Sequence, residues 1–288
     1  MAPNFLSVLT GSFAMPAVEN PTVAMVEAAY RHHGLDVRYL NCEVRPVALG
    51  AAVRGAVAMG WVGFNCSIPH KVAVIEHLDE LAASAAIIGA VNCVVHRDGR
   101  LVGENTDGQG FLAALRTVSE PAGQAFAILG AGGAARAIAI EVALAGATSI
   151  VIVNRNERRG AELVELVRRA TPATATLFVW ERPFDVPEGT DVLVNATSVG
   201  LFPDVDARLD LEVDSLRPSL VVADVIANPP RTRLIRDAES RGCTTIDGLG
   251  MLVDQGIISI ELWTGITAEP QPMRQVLERL FGAGDVSS

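Results

Sequence analysis

The chain has 288 residues, half of them hydrophobic, so it can bury a sizeable core and form two compact domains. Its net charge is −10, with only 19% charged residues. Phosphate backbones and anionic membranes would repel such a chain, which leaves a small molecule as the expected partner rather than nucleic acid or a membrane.

Short β-rich runs alternate with helical runs from the start of the chain, which predicts α/β packing. The first elements are predicted as strand, helix, strand, helix and strand, over Phe5–Thr10, Thr22–His33, Val37–Leu40, Pro46–Met59 and Trp61–Asn65. Pro69 is typical of a first helical turn, and the helix it opens is expected to run to about Leu81. A hairpin is predicted next, because Asp98-Gly99 separates Ala90–His96 from Leu101–Gly103.

A second unit is predicted to begin near Thr106. Its first strand, Ala125–Leu129, is fully apolar and is followed by a glycine-rich turn and a helix to about Ala145. Further strands are predicted over Ser149–Val153, Thr176–Val179, Val192–Val194, Leu220–Asp224 and Thr244–Ile246. Apolar strands joined by helices are typical of a buried parallel sheet. The tail is predicted to contain two helices, Leu249–Trp263 and Gln271–Phe281.

These elements predict an α/β protein of two domains. Residues 1–106 are expected to form an α/β substrate domain and residues 107–247 a Rossmann-type, doubly wound parallel sheet. Residues 248–288 are expected to form C-terminal helices that return to the substrate domain. The pattern does not determine the oligomeric state, and a homodimer is the simplest assembly that we consider.

Targeting and metal-binding patterns are absent from the sequence. The N-terminus has no basic region of the kind that starts a signal peptide, and the apolar run Ala134–Ala147 is too short for a membrane span. The four cysteines are far apart and form no Cys-x-x-Cys pair, which indicates neither a disulfide framework nor a zinc site. We therefore expect a cytoplasmic protein without a metal.

Lys71 is the only lysine among the 23 basic residues. Genomic base composition is the simple explanation for an excess of arginine. Arginine stays charged at any ordinary pH, however, whereas a lysine can lose its proton when its surroundings favour the neutral amine. The one position that keeps a lysine is therefore a candidate for proton chemistry.

A dinucleotide-binding turn is predicted between the strand Ala125–Leu129 and the following helix. It contains the pattern Gly130-x-Gly132-x-x-Ala135, in the strand–turn–helix context that this fingerprint requires. Gly130 permits a tight turn, and Gly132, Gly133 and Ala134 bring backbone close to a pyrophosphate at the helix N-terminus. A tight turn without a ligand is the alternative for so short a pattern.

The residues after the next strand predict which nicotinamide cofactor binds. An Asp or Glu usually reads a free ribose 2′-hydroxyl there, but this chain has Asn154 and Arg155, followed by Arg158 and Arg159. An arginine can hold a 2′-phosphate through charge-assisted hydrogen bonds. NADP is therefore favoured over NAD, with Arg159 interpreted as a solvated helix residue.

Several motifs in the same order resemble the shikimate dehydrogenase family. They are Gly63-Phe64-Asn65-Cys66-Ser67-Ile68-Pro69-His70-Lys71, Gly89-Ala90-Val91-Asn92, Gly103-Glu104-Asn105-Thr106-Asp107-Gly108, Asn195-Ala196-Thr197-Ser198-Val199-Gly200, and Gly248-Leu249-Gly250-Met251-Leu252-Val253-Asp254-Gln255. The resemblance covers nearly the whole chain. It implies a two-domain fold and the NADP-dependent interconversion of shikimate with 3-dehydroshikimate, a step in making chorismate and the aromatic amino acids.

The resemblance also implies roles for individual residues. Lys71 and Asp107 would be the catalytic pair, and Ser67, Asn92, Asp107 and Gln255 would surround the ring hydroxyls. Asn65 would support the first motif. Thr197, Ser198 and Gly248 would belong to the cofactor site.

The chemistry of the pair is consistent with these roles. Hydride transfer to or from an alcohol carbon also needs a proton to reach or leave the oxygen, and a positioned amine can carry it. A carboxylate can hydrogen-bond both the amine and a neighbouring hydroxyl. Asp107 could instead cap a helix, and Lys71 could mainly anchor the substrate. His70 is the rival base, which we interpret as a surface or packing residue.

Two departures from the family lie on the substrate side. The family usually has Ser-x-Ser-Pro near its N-terminus, whose hydroxyls hold the substrate carboxylate, whereas this chain has Val18 and Asn20 before Pro21. Asn20 can still donate a hydrogen bond, but Val18 cannot. Ala227 stands where the family commonly has a tyrosine. Losing such partners can cost a few kcal/mol of discrimination.

The departures leave three interpretations open. The first interpretation is a shikimate dehydrogenase with altered carboxylate contacts. The second is a relative that uses NADP on quinate, an amino-shikimate or another cyclic polyol. The third interpretation is a sensor that binds NADP or a ring acid without turning it over. The presence of both Lys71 and Asp107 argues against the sensor.

Overall fold

The computed structural model describes residues 5–282. Residues 1–4 of the predicted substrate domain and residues 283–288 of the predicted C-terminal segment lie outside this range. The chain forms two compact units. The first runs to Thr106 and includes Gly256–Leu277, and the second comprises Asp107–Gln255 with the chain from Glu278. Each unit is built around one six-stranded sheet, which confirms the predicted α/β class.

The strands are β1 (Val8–Ala14), β2 (Val37–Glu43), β3 (Gly63–Cys66), β4 (Glu80–Leu81), β5 (Cys93–Arg97), β6 (Arg100–Glu104), β7 (Ala125–Leu129), β8 (Ser149–Asn154), β9 (Thr174–Val179), β10 (Val192–Asn195), β11 (Val221–Asp224) and β12 (Thr244–Ile246). The helices are α1 (Thr22–His32), α2 (Leu49–Ala58), α3 (His70–Ala73), α4 (Ala83–Ile88), α5 (Thr106–Arg116), α6 (Gly133–Leu144), α7 (Glu157–Ala170), α8 (Arg233–Ser240), α9 (Gly248–Thr264) and α10 (Pro270–Gly282). Short 3₁₀ turns occupy Pro46–Ala48, Val74–His77 and Val213–Ser215.

The sheet of the first unit has the strand order β2-β1-β3-β5-β6-β4. Strands β2, β1 and β3 are parallel, and β5 joins β3 in the antiparallel direction. The core beside it contains three aromatic rings among aliphatic side chains, with the ring centroids of Phe13 and Phe64 4.6 Å apart and those of Phe13 and Trp61 5.9 Å apart. The carboxyl ends of the three parallel strands therefore meet at one edge of a packed sheet.

Strand β1 lies further along the chain than predicted. Phe5 and Leu6 are apolar but highly exposed, at 88% and 81%, and the strand continues through Gly11 to Ala14. A Cβ at Gly11 would lie 2.4 Å from the Leu40 carbonyl oxygen and 2.7 Å from the Trp61 ring. Glycine here permits close packing inside a strand rather than ending it.

The predicted hairpin is confirmed by β5 and β6, whose turn has positive φ at Asp98 and Gly99. The helix predicted from Pro69 to about Leu81 was wrong. Helix α3 ends at Ala73, a 3₁₀ turn follows, and Leu81 pairs with Gly103 in the sheet. A Cβ at Gly103 would meet the Leu81 side chain at 2.9 Å, so this apolar side chain packs on the sheet.

The sheet of the second unit has the order β12-β11-β10-β7-β8-β9, and all of its strand pairs are parallel. Its central strands are almost entirely buried, as their continuous apolar runs predict. The direction in which successive strands join the sheet reverses between β7 and β10. In sheets of this kind, ligands bind at this reversal, outside the carboxyl ends of the strands. The predicted doubly wound sheet is thus confirmed.

Helix α7 shows how sequence sets the limits of an element in this unit. The Asn156 side chain accepts a hydrogen bond from the Arg159 backbone N–H, so it caps the helix start. Leu163, Val164 and Val167 are buried on one face, while the opposite face is charged. The cap holds the residues after β8 in a defined position at the sheet edge.

No helix within residues 5–282 is long and apolar enough to cross a membrane. All four cysteines, which lie in this range, are free thiols, and Cys66 and Cys93 are buried. Burial raises the pKa of the Cys66 thiol, which keeps it protonated and unreactive.

Candidate active site

A row of polar side chains crosses the three parallel strands of the first unit near their carboxyl ends. In the strand register, Ser12 of β1 lies between Asn41 of β2 and Asn65 of β3. Ser12 is fully buried and donates a hydrogen bond to Asn41 Oδ1 at 2.8 Å. Three adjacent polar residues at the carboxyl ends of parallel strands are candidates for ligand recognition.

Asn20 joins this row from the segment between β1 and α1. Its Nδ2 donates to Ser12 Oγ at 3.2 Å, and its Oδ1 accepts from the Thr22 backbone N–H at 3.1 Å. Asn41 Nδ2 donates in turn to the Asn20 carbonyl oxygen at 2.9 Å. The amide of Asn20 is therefore held in one orientation by its neighbours.

The segment around Asn20 carries carboxylates. Glu43 Oε2, at the end of β2, accepts a hydrogen bond from the Ala17 N–H at 3.2 Å. Val18 is 85% exposed, and Glu19 beside it is exposed as well. Arg45, just beyond β2, is positively charged and exposed.

Lys71 lies in the first turn of α3, directly after β3. Its carbonyl oxygen accepts from the Val91 N–H at 2.7 Å, which ties the helix to the segment before β5, and its side chain is half-buried. Ser67 is half-buried, and its backbone N–H donates to the Phe13 carbonyl. His70 is buried with Nε2 2.8 Å from the Val44 carbonyl oxygen, so it packs inside the unit.

Asn65 has a supporting role, as the resemblance implies, and Asn92 also positions its neighbours. Asn65 Oδ1 accepts from the Tyr39 hydroxyl at 2.8 Å, and its Nδ2 donates to the Asn92 carbonyl at 3.0 Å. Burial keeps the Tyr39 hydroxyl protonated by raising its pKa well above the usual value. Asn92 Oδ1 accepts from the Thr106 N–H at 2.7 Å. Asn92 thereby fixes the chain just before Asp107.

Asp107 begins the second unit and lies in the first turn of α5. Because α5 begins at Thr106, Asp107 is inside the helix and is not its cap. Gln255, on α9, is buried, and its Nε2 donates to the Leu252 carbonyl at 3.0 Å. A Cβ at Gly110 would lie 2.9 Å from Gln255 Cβ, so α5 and this part of α9 pack closely.

The glycine-rich turn of the second unit has the geometry that a dinucleotide requires. Gly130 has φ of +109°, and a Cβ there would lie 2.9 Å from the Ala196 carbonyl oxygen. Gly132 and Gly133 face open space, Ala134 follows in the first turn of α6, and Ala135 is fully buried against the sheet. A pyrophosphate fits the exposed N-terminus of α6.

Arg155 lies at the end of β8 with its guanidinium carbon 5.7 Å from the centre of the Trp180 ring. Trp180 is buried and donates its indole N–H to the Asp210 carbonyl at 2.7 Å, so the ring is fixed. Asn154 Nδ2 donates to the Asn156 carbonyl at 2.7 Å and shapes the same turn. The cation–π contact holds Arg155 at the place expected for a ribose phosphate.

The other arginines of this turn are less constrained. Arg158 Nε lies 3.7 Å from Glu162 Oε1 in an exposed pair, and Arg159 is exposed on the helix surface. A surface pair of this kind contributes little stability, so Arg158 can exchange Glu162 for a phosphate at small cost.

The remaining residues that were predicted to bind the cofactor lie beside the central strands. Thr197 follows β10, and its hydroxyl donates to Asn195 Oδ1 at 2.7 Å, while Ser198 is exposed. Gly248 begins α9, and a Cβ there would lie 2.2 Å from the Ile226 carbonyl oxygen. Glycine at this position lets the helix start directly against the segment after β11.

Two residues of this edge were missed by the sequence interpretation. Trp180 follows β9, and its ring lies beneath Arg155 because β9 pairs with β8. Asp224 ends β11 as a buried carboxylate at 3% exposure, and the signal that could have revealed it is a charged residue at the end of an apolar strand.

Comparison with known proteins agrees with this geometry. Residues 13–94 match the family model for the shikimate dehydrogenase substrate binding domain, and residues 248–278 match that for the shikimate 5′-dehydrogenase C-terminal domain. A curated relative from Methanopyrus kandleri, the shikimate dehydrogenase (NADP(+)), is 43% identical over 94% of this chain and 96% of its own. The chain belongs to the shikimate dehydrogenase family.

Solved structures of shikimate dehydrogenase family proteins and their relatives share the fold. The 5-ketofructose reductase of Gluconobacter sp. strain CHM43 is 57% identical with a TM-score of 0.94, over 96% of this chain and 100% of that protein. The shikimate 5-dehydrogenase of Listeria monocytogenes, solved with shikimate and NAD, is 35% identical with a TM-score of 0.88, over 96% and 98%. These relatives confirm the predicted family. The two proteins are named for different substrates.

Proposed function

We propose that this chain is an NADP-dependent oxidoreductase acting on a CH–OH group, and that it catalyses the reversible reduction of 3-dehydroshikimate to shikimate. The observation that carries the proposal is its 43% identity, over 94% of the chain, to a shikimate dehydrogenase (NADP(+)). Lys71 and Asp107 lie at their places in the motifs.

The second unit would hold NADP through groups already in place. The turn from Gly130 to Ala134 would take the pyrophosphate, and Arg155 with Arg158 would take the 2′-phosphate. Thr197, Ser198 and Gly248 would complete the site. NADP, when bound, supplies or accepts the hydride.

The proton of the reaction is assigned to the catalytic pair. Lys71 Nζ delivers a proton to the carbonyl oxygen as that carbon is reduced, and takes it back in the oxidation. The Asp107 carboxylate is proposed to accept a hydrogen bond from a substrate hydroxyl and so to orient the substrate. Ser67, Asn92 and Gln255 are proposed to border the hydroxyls of the same substrate.

The direct test is the turnover of shikimate by the purified protein with NADP⁺ and, separately, with NAD⁺. We expect reduced nicotinamide to form in proportion to shikimate, with NADP⁺ preferred. Tight NADP binding without turnover of any polyol would instead support the sensor interpretation, which the catalytic pair disfavours.

A second candidate substrate is an uncharged polyhydroxylated ketone of the ketose type. The relative that is 57% identical is named a 5-ketofructose reductase. Val18, Asn20 and Ala227 also replace the residues with which the family usually holds a carboxylate.

The carboxylates beside Asn20 favour this second candidate. A substrate carboxylate near Asn20 would lie in the segment that contains Glu19 and is bonded to Glu43, and like charges repel. Asn20, Ser12 and Asn41 form a neutral network of the kind that reads hydroxyl groups. Both substrates need the same proton and hydride chemistry, so the two candidates differ only in recognition.

Comparing kcat/KM for the oxidation of shikimate and quinate with NADP⁺ and for the reduction of 5-ketofructose with NADPH, with one enzyme preparation, separates the candidates. Efficient turnover of the ketose with none of shikimate would replace the first candidate by the second. A cytoplasmic location and a homodimer remain further predictions, which fractionation and sedimentation can test.

A further inference from the structure

Asn195 and Asp224 lie side by side at the carboxyl ends of β10 and β11, where the strand register pairs them. Both are almost completely buried. Asp224 accepts hydrogen bonds from Asn195 Nδ2 at 3.1 Å to each oxygen, from Thr232 Oγ1 at 2.7 Å and from the Ile226 N–H at 3.0 Å. The groups bonded to this carboxylate in the described chain are thus neutral donors.

A carboxylate in such surroundings is costly. Burial raises the pKa of Asp224 to about 6, although its hydrogen bonds oppose the rise. A neutral side chain of similar size would avoid this cost, so stability alone does not account for an acid here. Perturbed acids of this kind are enriched at functional sites.

The carboxylate determines which way the Asn195 amide points. Because Asp224 offers only acceptors when ionised, it draws the NH₂ group of Asn195 towards itself and leaves Oδ1 facing the other way. Asn195 Oδ1 then accepts from the Thr197 N–H at 3.1 Å and from the Thr197 hydroxyl at 2.7 Å. Thr197 Oγ1 accepts in turn from the Val199 N–H at 3.1 Å.

The turn held in this way lies against the dinucleotide turn of the same unit. A Cβ at Gly130 would be 2.9 Å from the Ala196 carbonyl oxygen and 3.2 Å from Thr197 Cγ2. If the Asn195 amide reversed, its NH₂ group would face the donors of Thr197, and the turn would have to move. Asp224 is therefore connected to the cofactor turn through fixed hydrogen bonds.

We infer that Asp224 is a positioning residue for the nicotinamide dinucleotide, which acts through Asn195 to hold the turn of Thr197 and Ser198 beside Gly130. This inference rests on the proposed use of NADP. It adds a residue that would not contact the cofactor itself.

The test compares Asp224→Asn with Asp191→Asn. Asp191 precedes the neighbouring strand β10 at the end opposite to Asn195, where it accepts from the Ala125 N–H, so it is a control acid in the same sheet. We expect Asp224→Asn to raise the NADP dissociation constant about tenfold or more, since hydrogen bonds to a charged group are lost, and Asp191→Asn to leave it unchanged. Titration calorimetry measures both.

The outcomes are distinguishable. An Asp224→Asn variant that is folded and binds NADP as tightly as the parent would overturn this inference alone. A parent protein that does not bind NADP would overturn the proposed function and this inference together.

If Asp224→Asn does not fold, the parent protein provides a second measurement. The backbone amide shifts of Thr197 and Val199 are followed by NMR against pH without cofactor, so that the 2′-phosphate does not contribute. We expect both amides to share a transition near pH 6, the pKa of Asp224. Flat profiles for both residues would overturn the inference.

Discussion

The two units are proposed to recognise their ligands by different means. In the second unit, backbone geometry dominates, because the proposed pyrophosphate site is a turn that depends on the positive φ of Gly130 and on the start of α6. In the first unit, the proposed recognition depends on side chains in the row of Asn41, Ser12 and Asn65. A site that binds its ligand through the main chain requires glycines at a recognisable spacing in the sequence. A site that binds through side chains can change its ligand after one or two substitutions. Cofactor use is therefore easier to infer than substrate identity.

The largest expected effect is a loss of turnover, without a loss of cofactor binding, when Lys71 is replaced. Replacing Lys71 with methionine removes the proposed proton carrier from the first unit and leaves the second intact. We expect kcat to fall about a thousandfold, within the usual range for loss of general acid–base catalysis, with unchanged NADP binding. Steady-state kinetics and calorimetry measure the two quantities, and Arg54→Met, at an exposed site on α2, is the control. Activity retained above a tenth of the parent's would contradict the assignment of Lys71.

The second prediction concerns the pH dependence of stability in the second unit. The pKa of Asp224 is raised from 3.8 to about 6, so the folded state binds the proton more tightly than the unfolded state between these values. Stability from this group is fully present below pH 3.8 and is lost as the pH rises through 6, a change of about 3 kcal/mol in the free energy of unfolding.

Urea denaturation of the parent and of Asp224→Asn across this pH range checks the sign. The parent should lose more stability than the variant as the pH rises. Equal slopes for the two proteins would show that Asp224 titrates in the folded state as it does in the unfolded one.

The third prediction concerns the choice between NADP and NAD. Replacing Arg155 with glutamine removes a charged partner of the 2′-phosphate, and such hydrogen bonds contribute about 2 kcal/mol. We expect the ratio of kcat/KM for NADP to that for NAD to fall about thirtyfold, which kinetics with both cofactors measures. Arg159→Gln, on the exposed face of α7, is the matched control. An equal effect of both substitutions would mean that only the overall charge matters.

The smallest expected effect tests the side-chain site. Replacing Val18 and Asn20 together with serine restores two hydroxyl groups to the segment before α1. We expect the preference for shikimate over 5-ketofructose, as a ratio of kcat/KM values, to rise about tenfold, which is typical for one or two regained hydrogen bonds. Ser7→Ala, at a half-buried residue before β1 whose hydroxyl donates to Asp36, is the control. An unchanged ratio would indicate that the carboxylate is recognised elsewhere.

Sequence reasoning succeeded where local chemistry determines structure. The Asp98-Gly99 turn, the glycine-rich turn after β7 and the apolar parallel strands were all predicted, because each depends on a few neighbouring residues. It failed where distant residues decide the outcome. Leu81 resembled a helical residue but pairs with Gly103 in the sheet, and Gly11 continues a strand because the Trp61 ring lies on it. Asp224 and Trp180 acquire their roles only through strand pairing.

The stacking of Arg155 on Trp180 provides an optical reporter of the cofactor site. Trp180 is the one tryptophan of the second unit, since Trp61 and Trp263 belong to the first. With those two changed to phenylalanine, the intrinsic emission of the protein would come from the indole beneath Arg155 alone. Movement of the guanidinium towards a phosphate would alter that emission, so occupancy could be followed in real time without a label.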